Sequence, residues 1–263
     1  QWISYDAARA DKPLLLFLHG GPGWVVTPLL QQYCKPLFEN YLVVHWDQRG
    51  SGQSYFSGQI KNLTVKQLVA DGLELAALLC ARFQKEKIIL VGHSWGSALG
   101  VLMCQANPDF FYKYVGIGQI GNWLDGELLS YNFVLGKAKQ HGKTSLVKKL
   151  ERIGQPPYPQ IKQLIFQRKW LLKFGGSIYG KTNYRHWFPL YLKWYGFNLI
   201  SLIKTGLGLK KSLVKLWDEC LQLDLYTQVP KLDLPVYMIS GRHDFQVPAS
   251  TSRIYFDKLE APQ

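Results

Sequence analysis

Five residues, Gly92-His93-Ser94-Trp95-Gly96, constrain this chain more than any other stretch. The apolar run Ile88-Ile89-Leu90-Val91 precedes them, and Ser97-Ala98-Leu99-Gly100-Val101-Leu102-Met103 follows. That order reads as strand, sharp turn and helix. Glycine at 92 and 96 lets the backbone turn tightly where a side chain would clash. Ser94 is then lifted to the tip of the turn with its hydroxyl exposed. The following helix points its N-terminus toward that hydroxyl, which favours developing negative charge. G-x-S-x-G alone is a weak pattern, because small residues recur by chance in loops. The flanking strand and helix make this one a nucleophile elbow.

The first third of the chain repeats the alternation of strand and helix. Leu14-Leu15-Leu16-Phe17-Leu18 is a fully apolar run that ends at His19-Gly20-Gly21-Pro22-Gly23. A second run, Tyr41-Leu42-Val43-Val44-His45-Trp46, ends at Asp47-Gln48-Arg49-Gly50. A helix is predicted from Thr64, where Thr64 and Gln67 form a capping box, with an apolar stripe of Val65, Leu68, Val69, Ala76, Leu79 and Phe83. Continuous apolar strands joined by helices indicate a parallel sheet covered on both faces. Between 122 and 226 no convincing strand is found. Lys-rich amphipathic helices take over, with an aromatic stretch that includes Trp187, Tyr191, Trp194 and Phe197. Breaks fall at Gln155-Pro156-Pro157-Tyr158-Pro159 and at Phe174-Gly175-Gly176. After this helical insertion the strand pattern returns at Val236-Tyr237-Met238-Ile239-Ser240, followed by Gly241-Arg242-His243-Asp244 and a last helix over 250–259. The domain reading is therefore a first part of the core at 1–121, an insertion at 122–226 and a second, incomplete part of the core at 227–263.

Apolar residues make up 47% of the 263 and charged ones 19%, enough for a sizeable core. The four cysteines, Cys34, Cys80, Cys104 and Cys220, are scattered, which argues against a zinc site and against a disulfide framework. They read as reduced, mostly buried thiols of a cytoplasmic protein. No uninterrupted apolar run reaches membrane-spanning length. The net charge of +13 is concentrated: 122–226 carries 17 Lys and Arg against 6 Asp and Glu, whereas 1–121 carries 10 against 8 and 227–263 carries 4 against 4. The excess reads as a solvated helical surface or as attraction to anionic substrates or membrane surfaces. No recognised nucleic-acid motif accompanies it.

A serine hydroxyl is a poor nucleophile unless a base takes its proton and an oxyanion hole stabilises the intermediate. The elbow supplies one donor, the backbone N–H of Trp95. A second is expected from the loop His19-Gly20-Gly21-Pro22-Gly23, where Gly20 or Gly21 is the donor. The order of a triad on this pattern is serine, acid, histidine, and Asp244 follows a late strand where the acid is expected. No histidine occupies the expected place. His19 reads as a brace of the oxyanion loop, His45 lies in a strand, His93 in the elbow, and His141 and His186 in the insertion. His243 is too close to Asp244 in sequence for its ring to lie between Asp244 and Ser94. In Asp47-Gln48-Arg49-Gly50-Ser51-Gly52-Gln53-Ser54, Arg49 either shapes the pocket mouth or joins Asp47 in pinning a glycine-rich turn.

Together, His19-Gly20-Gly21-Pro22-Gly23, Asp47-Gln48-Arg49-Gly50-Ser51-Gly52-Gln53-Ser54, Gly92-His93-Ser94-Trp95-Gly96-Ser97 and Gly241-Arg242-His243-Asp244 resemble the α/β-hydrolase superfamily, and within it the proline iminopeptidase family of serine peptidases. The resemblance implies an α/β-hydrolase fold, a mostly parallel central sheet of eight strands with an inserted helical cap. It implies Ser94 as nucleophile, Asp244 as triad acid, and Trp95 with Gly20 or Gly21 as the oxyanion hole, with no cofactor or metal. The implied activity is removal of an N-terminal residue, often proline, from short peptides or related amides through an acyl-enzyme. The family's cap holds carboxylates for the substrate's free amine; here the insertion's acids are Asp125, Glu127, Glu151, Asp218, Glu219 and Asp224, and the sequence assigns none of them. The pattern also implies a further strand and helix, with the catalytic histidine beyond residue 263, so the chain reads as a fragment short at both termini. The alternatives are a carboxylesterase or lipid-ester hydrolase with a membrane-associating basic cap, and an inactive binding protein on the same fold.

Overall fold

The structure is a computed structural model that describes residues 1–56, 59–196 and 198–262. Phe197, part of the aromatic stretch named above, lies outside the described residues. Six strands form one sheet in the order β1-β3-β2-β4-β5-β6: β1 (Trp2–Ser4), β2 (Leu14–Leu18), β3 (Leu42–Asp47), β4 (Ile88–His93), β5 (Phe111–Ile117) and β6 (Val236–Ile239). Only β1 runs antiparallel, against β3; the other neighbours are parallel. The resemblance implies eight strands, and six are present among the described residues. The helices are α1 (Thr27–Tyr33), α2 (Lys35–Asn40), α3 (Val65–Phe83), α4 (Trp95–Ala106), α5 (Trp123–Gln140), α6 (Thr144–Ile153), α7 (Ile161–Lys173), α8 (Phe188–Trp194), α9 (Leu199–Leu221), α10 (Leu225–Gln228) and α11 (Ala249–Lys258).

The apolar run of β2 is buried at every position because the sheet is covered twice. Leu14, Leu16 and Leu18 pack with Leu68 and Leu79 of α3 and Ala98 and Val101 of α4. Leu15 and Phe17 face the other way, onto Leu30, Leu37 and Phe38 of α1 and α2. A strand sandwiched so cannot alternate polar and apolar residues.

Two local readings differ from the structure. Thr64 caps α3 by accepting the N–H of Gln67 at 3.1 Å, but the Gln67 side chain is turned to Asp71, to which its amide N–H donates at 2.9 Å, and does not accept the Thr64 N–H, so only half of the capping box forms. The ionised, buried Asp71 carboxylate orients the Gln67 amide by accepting from it. The second difference is β5, which the periodicity did not reveal: Tyr112 is exposed, Lys113 half-exposed, and Gly116 carries no side chain, so the apolar pattern is broken within an otherwise central strand.

All described residues between β5 and β6 are helical or irregular apart from two isolated bridge positions, Asn122 with Asp224 and Lys231 with Glu260. Asn122 pairs with Asp224, while Trp123 N–H donates to Leu223 and Leu225 N–H to Gly121, so the segment leaves and re-enters the sheet at one point. Among the described residues no helix is long and apolar enough to cross a membrane. The four cysteines are free; Cys104 and Cys220 are buried, Cys34 and Cys80 half-buried.

The loop after β3 is pinned by an ion pair. Arg49 forks onto Asp71 of α3, with N–H···O distances of 2.6 and 2.7 Å, and does not reach the pocket. Burial pushes the Asp71 carboxyl up, but hydrogen bonds from Arg49 and Gln67 outweigh it and hold the pKa below the ordinary value. Removing one partner of such a pair leaves the other charge buried and unmatched, at a cost of about 3 kcal/mol. Arg49→Ala is therefore expected to lower the urea midpoint strongly with an unchanged denaturant slope. A midpoint within error of the parent would contradict this role.

Candidate active site

Ser94 follows the last residue of β4 and has φ 54° and ψ −121°, a conformation that only a strongly held non-glycine residue keeps. What holds it is on both sides of the turn. Ser94 N–H donates to Ile117 of β5 at 2.9 Å, and its carbonyl accepts from Ser97 N–H at 2.7 Å and from the Ser97 hydroxyl at 2.6 Å. Ser97 Oγ also accepts the N–H of Ile120 at 3.0 Å. A Cβ at Gly92 would lie 2.7 Å from Cα of Ser97, and one at Gly96 would lie 2.7 Å from the His19 carbonyl oxygen. Both glycines are thus required by close backbone approach, as the motif predicts.

The register of the sheet brings the other loops here. Leu18 of β2 is opposite Gly92 of β4 and opposite Trp46 of β3, so the loops after all three strands open at one carboxyl edge. Gly20 lies against the elbow: a Cβ there would stand 3.1 Å from Cβ of Ser94. Gly21 has φ 118°, open to glycine alone. Trp95 opens α4, so its backbone N–H has no acceptor within the helix.

Gln48 ties these loops together, and no sequence signal singled it out. Its N–H donates to His19 Nε2 at 3.2 Å, its side-chain amide donates to the His19 carbonyl at 3.0 Å, and its Oε1 accepts the Trp95 indole N–H at 3.0 Å. Since His19 Nε2 accepts, Nδ1 carries the proton and donates to Gly20 O at 2.9 Å. His19 thus braces the glycine loop 19–23 against the loop after β3. A second brace comes from α8: the Trp24 indole N–H donates to Tyr191 Oη at 2.6 Å, and the Tyr191 hydroxyl donates to Val25 O at 2.6 Å.

Asp244 lies five residues beyond β6. Its Oδ1 accepts the N–H groups of Gln246 and Val247 at 2.8 and 2.9 Å, which leaves Oδ2 available; a Cβ on Gly118 would lie 3.7 Å from Oδ2. Burial pushes its carboxyl pKa up, and the two backbone N–H bonds and Arg168 draw it back only in part. The loop is fixed from the helical segment, where Phe245 N–H donates to Gly176 and the Phe245 ring stacks on Phe133 at 3.9 Å.

Gly20, Gly21, Ser94 and Asp244 all line one cavity of about 610 Å³. No histidine is hydrogen-bonded to Ser94 or Asp244 among the described residues. His243 is exposed and stacks on Tyr179 at 4.3 Å, turned to the surface. His45 stacks on Phe38, and His141 on Phe174.

The structure also sorts the acids of the helical segment. Glu219 accepts the N–H of Val65, Asp224 caps α10, and Glu151 pairs with Lys139 on the surface. Glu127 alone among the six is buried in the cavity wall, paired with Arg168, which also donates to Gln167. Its second oxygen, Oε2, is buried and makes no hydrogen bond of full geometry; the Trp123 indole N–H, itself without another partner, lies against Glu127 and favours its charged form. Burial pushes the Glu127 pKa up and Arg168 opposes it, for a net rise.

The alpha/beta hydrolase fold family matches residues 13–263. The chain is 38% identical to the probable aminopeptidase YbaC of Bacillus subtilis, over 100% of this chain and 83% of that protein. It is 35% identical to a proline iminopeptidase of Xylella fastidiosa, over 43% of this chain and 34% of that one. Among solved structures, a proline iminopeptidase-related protein from Thermus thermophilus superposes with a TM-score of 0.60 at 19% identity, covering 99% of this chain and 88% of the other.

Burial lowers the pKa of His19, His45 and His93 from 6.5 to about 4 and raises that of Asp47 from 3.8 to about 7. Each histidine's contribution to stability is intact above pH 6.5 and lost as pH falls through 4. The Asp47 contribution runs oppositely, present below 3.8 and lost as pH rises through 7. Three against one, stability falls on acidification between these limits. The urea midpoint should drop from pH 7 to pH 5, and His45→Phe should make that drop shallower; an unchanged slope in His45→Phe would show that this ring is not neutral in the fold.

Proposed function

We propose that this chain, which belongs to the alpha/beta hydrolase fold family, is a serine hydrolase that removes N-terminal residues from short peptides or related amides. The observation that carries the reading is the strained Ser94 turn opening, with the glycine loop and the free oxygen of Asp244, onto one cavity. In this reading Ser94 Oγ attacks the carbonyl carbon of the scissile bond. The oxyanion that forms is met by the N–H of Trp95 and one from Gly20 or Gly21. Collapse expels the amine, which takes up the proton that left Ser94, and leaves an acyl-enzyme; water then attacks the ester and restores Ser94.

The base in this reading is a histidine held by Asp244 Oδ2, an oxygen that accepts no hydrogen bond among the described residues. The helical segment acts as the cap. Glu127, in the cavity wall beside Trp123, takes the substrate's free amine: its Oε2 makes no hydrogen bond of full geometry, and an ammonium group supplies a charged donor. The names of the relatives, aminopeptidase and proline iminopeptidase, support the same substrate class.

Proline and alanine p-nitroanilides, their N-acetylated forms and a p-nitrophenyl ester separate the readings. The protein should release nitroaniline from the free-amine substrates only, and Ser94→Ala should be inactive on all. Glu127→Gln should raise KM for the free-amine substrates by about tenfold or more and leave ester hydrolysis little changed. Equal cleavage of the N-acetylated substrates sinks the aminopeptidase assignment, and activity on the ester alone transfers the reaction to esters.

A further inference from the structure

Helix α9 is apolar on two sides. On one side Leu209, Leu213 and Trp217 line the cavity. On the other, Leu199, Ile200, Ile203 and Leu207 are 65, 67, 60 and 40% exposed. Their spacing places them on one stripe over the first turns of the helix. A surface helix normally turns lysine or glutamate to water at such positions, so four aliphatic side chains in a row mark a contact. The exposed Phe188, at the start of α8, adds a fifth large apolar side chain to this part of the molecule.

From 188 to 215 the charged side chains are of one sign. Lys193 of α8 and Lys210 and Lys211 of α9 are exposed, and Lys204 rises from within the stripe, its ammonium 5.3 Å from the ring of Phe56. No acid occurs between Phe188 and Lys215; the first is Asp218. Aliphatic side chains edged by lysine and free of carboxylates match the interfacial zone of an anionic bilayer. There the apolar face enters the acyl boundary, and the lysine stems reach back to the headgroups. A second copy of the chain would bring like charge against like, since the whole sequence carries +13.

We propose that the outer face of α9, with Phe188 and Lys193, Lys204, Lys210 and Lys211, docks this protein on an anionic lipid surface. The same helix is a wall of the catalytic cavity, so docking holds that cavity beside the headgroup layer. The proposal does not depend on the hydrolase reading, and Ser94→Ala is expected to bind lipid as the parent does.

Sedimentation with phosphatidylcholine vesicles, with and without phosphatidylserine, tests it. The protein should sediment with the phosphatidylserine vesicles at low salt, less so as salt rises, and not with phosphatidylcholine alone. Ile200→Asp with Ile203→Asp should weaken binding by about tenfold or more, and Lys210→Glu with Lys211→Glu should also weaken it. Leu78→Asp, at an equally exposed apolar site on α3, should bind as the parent does. Thermal midpoints verify that each variant is folded, and the lysine pair decides the matter where the isoleucine pair is not. Absence of sedimentation by the parent overturns the proposal, as does undiminished binding by the folded variants. A concentration-dependent dimer on gel filtration that the isoleucine pair abolishes assigns the stripe to a second copy instead.

Discussion

The conformation of one residue organises this structure. Holding Ser94 at φ 54° and ψ −121° stores roughly 1–3 kcal/mol of backbone strain, and hydrogen bonds on both sides of the turn hold it there. Gly92 and Gly96 let β2, β4 and α4 approach more closely than any side chain allows. Ser97, fully buried, spends its hydroxyl on the Ser94 carbonyl and the Ile120 N–H. Gln48 links the elbow's tryptophan to the glycine loop through His19. The serine side chain is thereby presented with its neighbours already in place, which is what a site that stabilises developing charge requires.

Burial gives the polar groups around this turn their character. His19 stays neutral because burial takes its ring out of water and outweighs the bond to the Gly20 carbonyl, which favours the charged form; its Nε2 meanwhile accepts the Gln48 N–H. Burial pushes the Asp47 carboxyl up to about 7, and the single N–H bond from Gln53 only partly offsets it. Glu127, by contrast, has Arg168 on one oxygen and only the Trp123 indole N–H near the other, short of a full hydrogen bond. The three groups show how a single apolar interior yields a brace, a silent carboxyl and a carboxylate with an unmet demand, according to which partners the chain supplies.

How far the sequence carried depends on the range of the interaction. The elbow, the glycine loop, β2 and β6 were legible because their residue types answer to local backbone needs and to continuous apolar runs. So was the placing of His243 away from Ser94, since adjacent residues cannot bracket a third group. The strand Phe111–Ile117 was not legible, because Lys113 and Gly116 interrupt its apolar pattern although its central place in the sheet is set by pairing with β4 and β6. Gln48 and Glu127 were not legible for another reason. Gln48 acts on residues 29 and 47 positions away, and Glu127 is distinguished from the five other acids of its segment only by where α5 and α7 meet. No period or motif encodes such a meeting.

The central claim is that Ser94 is the nucleophile, and covalent mapping tests it most directly. The protein is treated with a fluorophosphonate, digested, and the adduct located by mass spectrometry. The account predicts a single phosphonylated peptide with the modification on Ser94, and none in Ser94→Ala. An adduct on another residue, or equal labelling of Ser94→Ala, would contradict it.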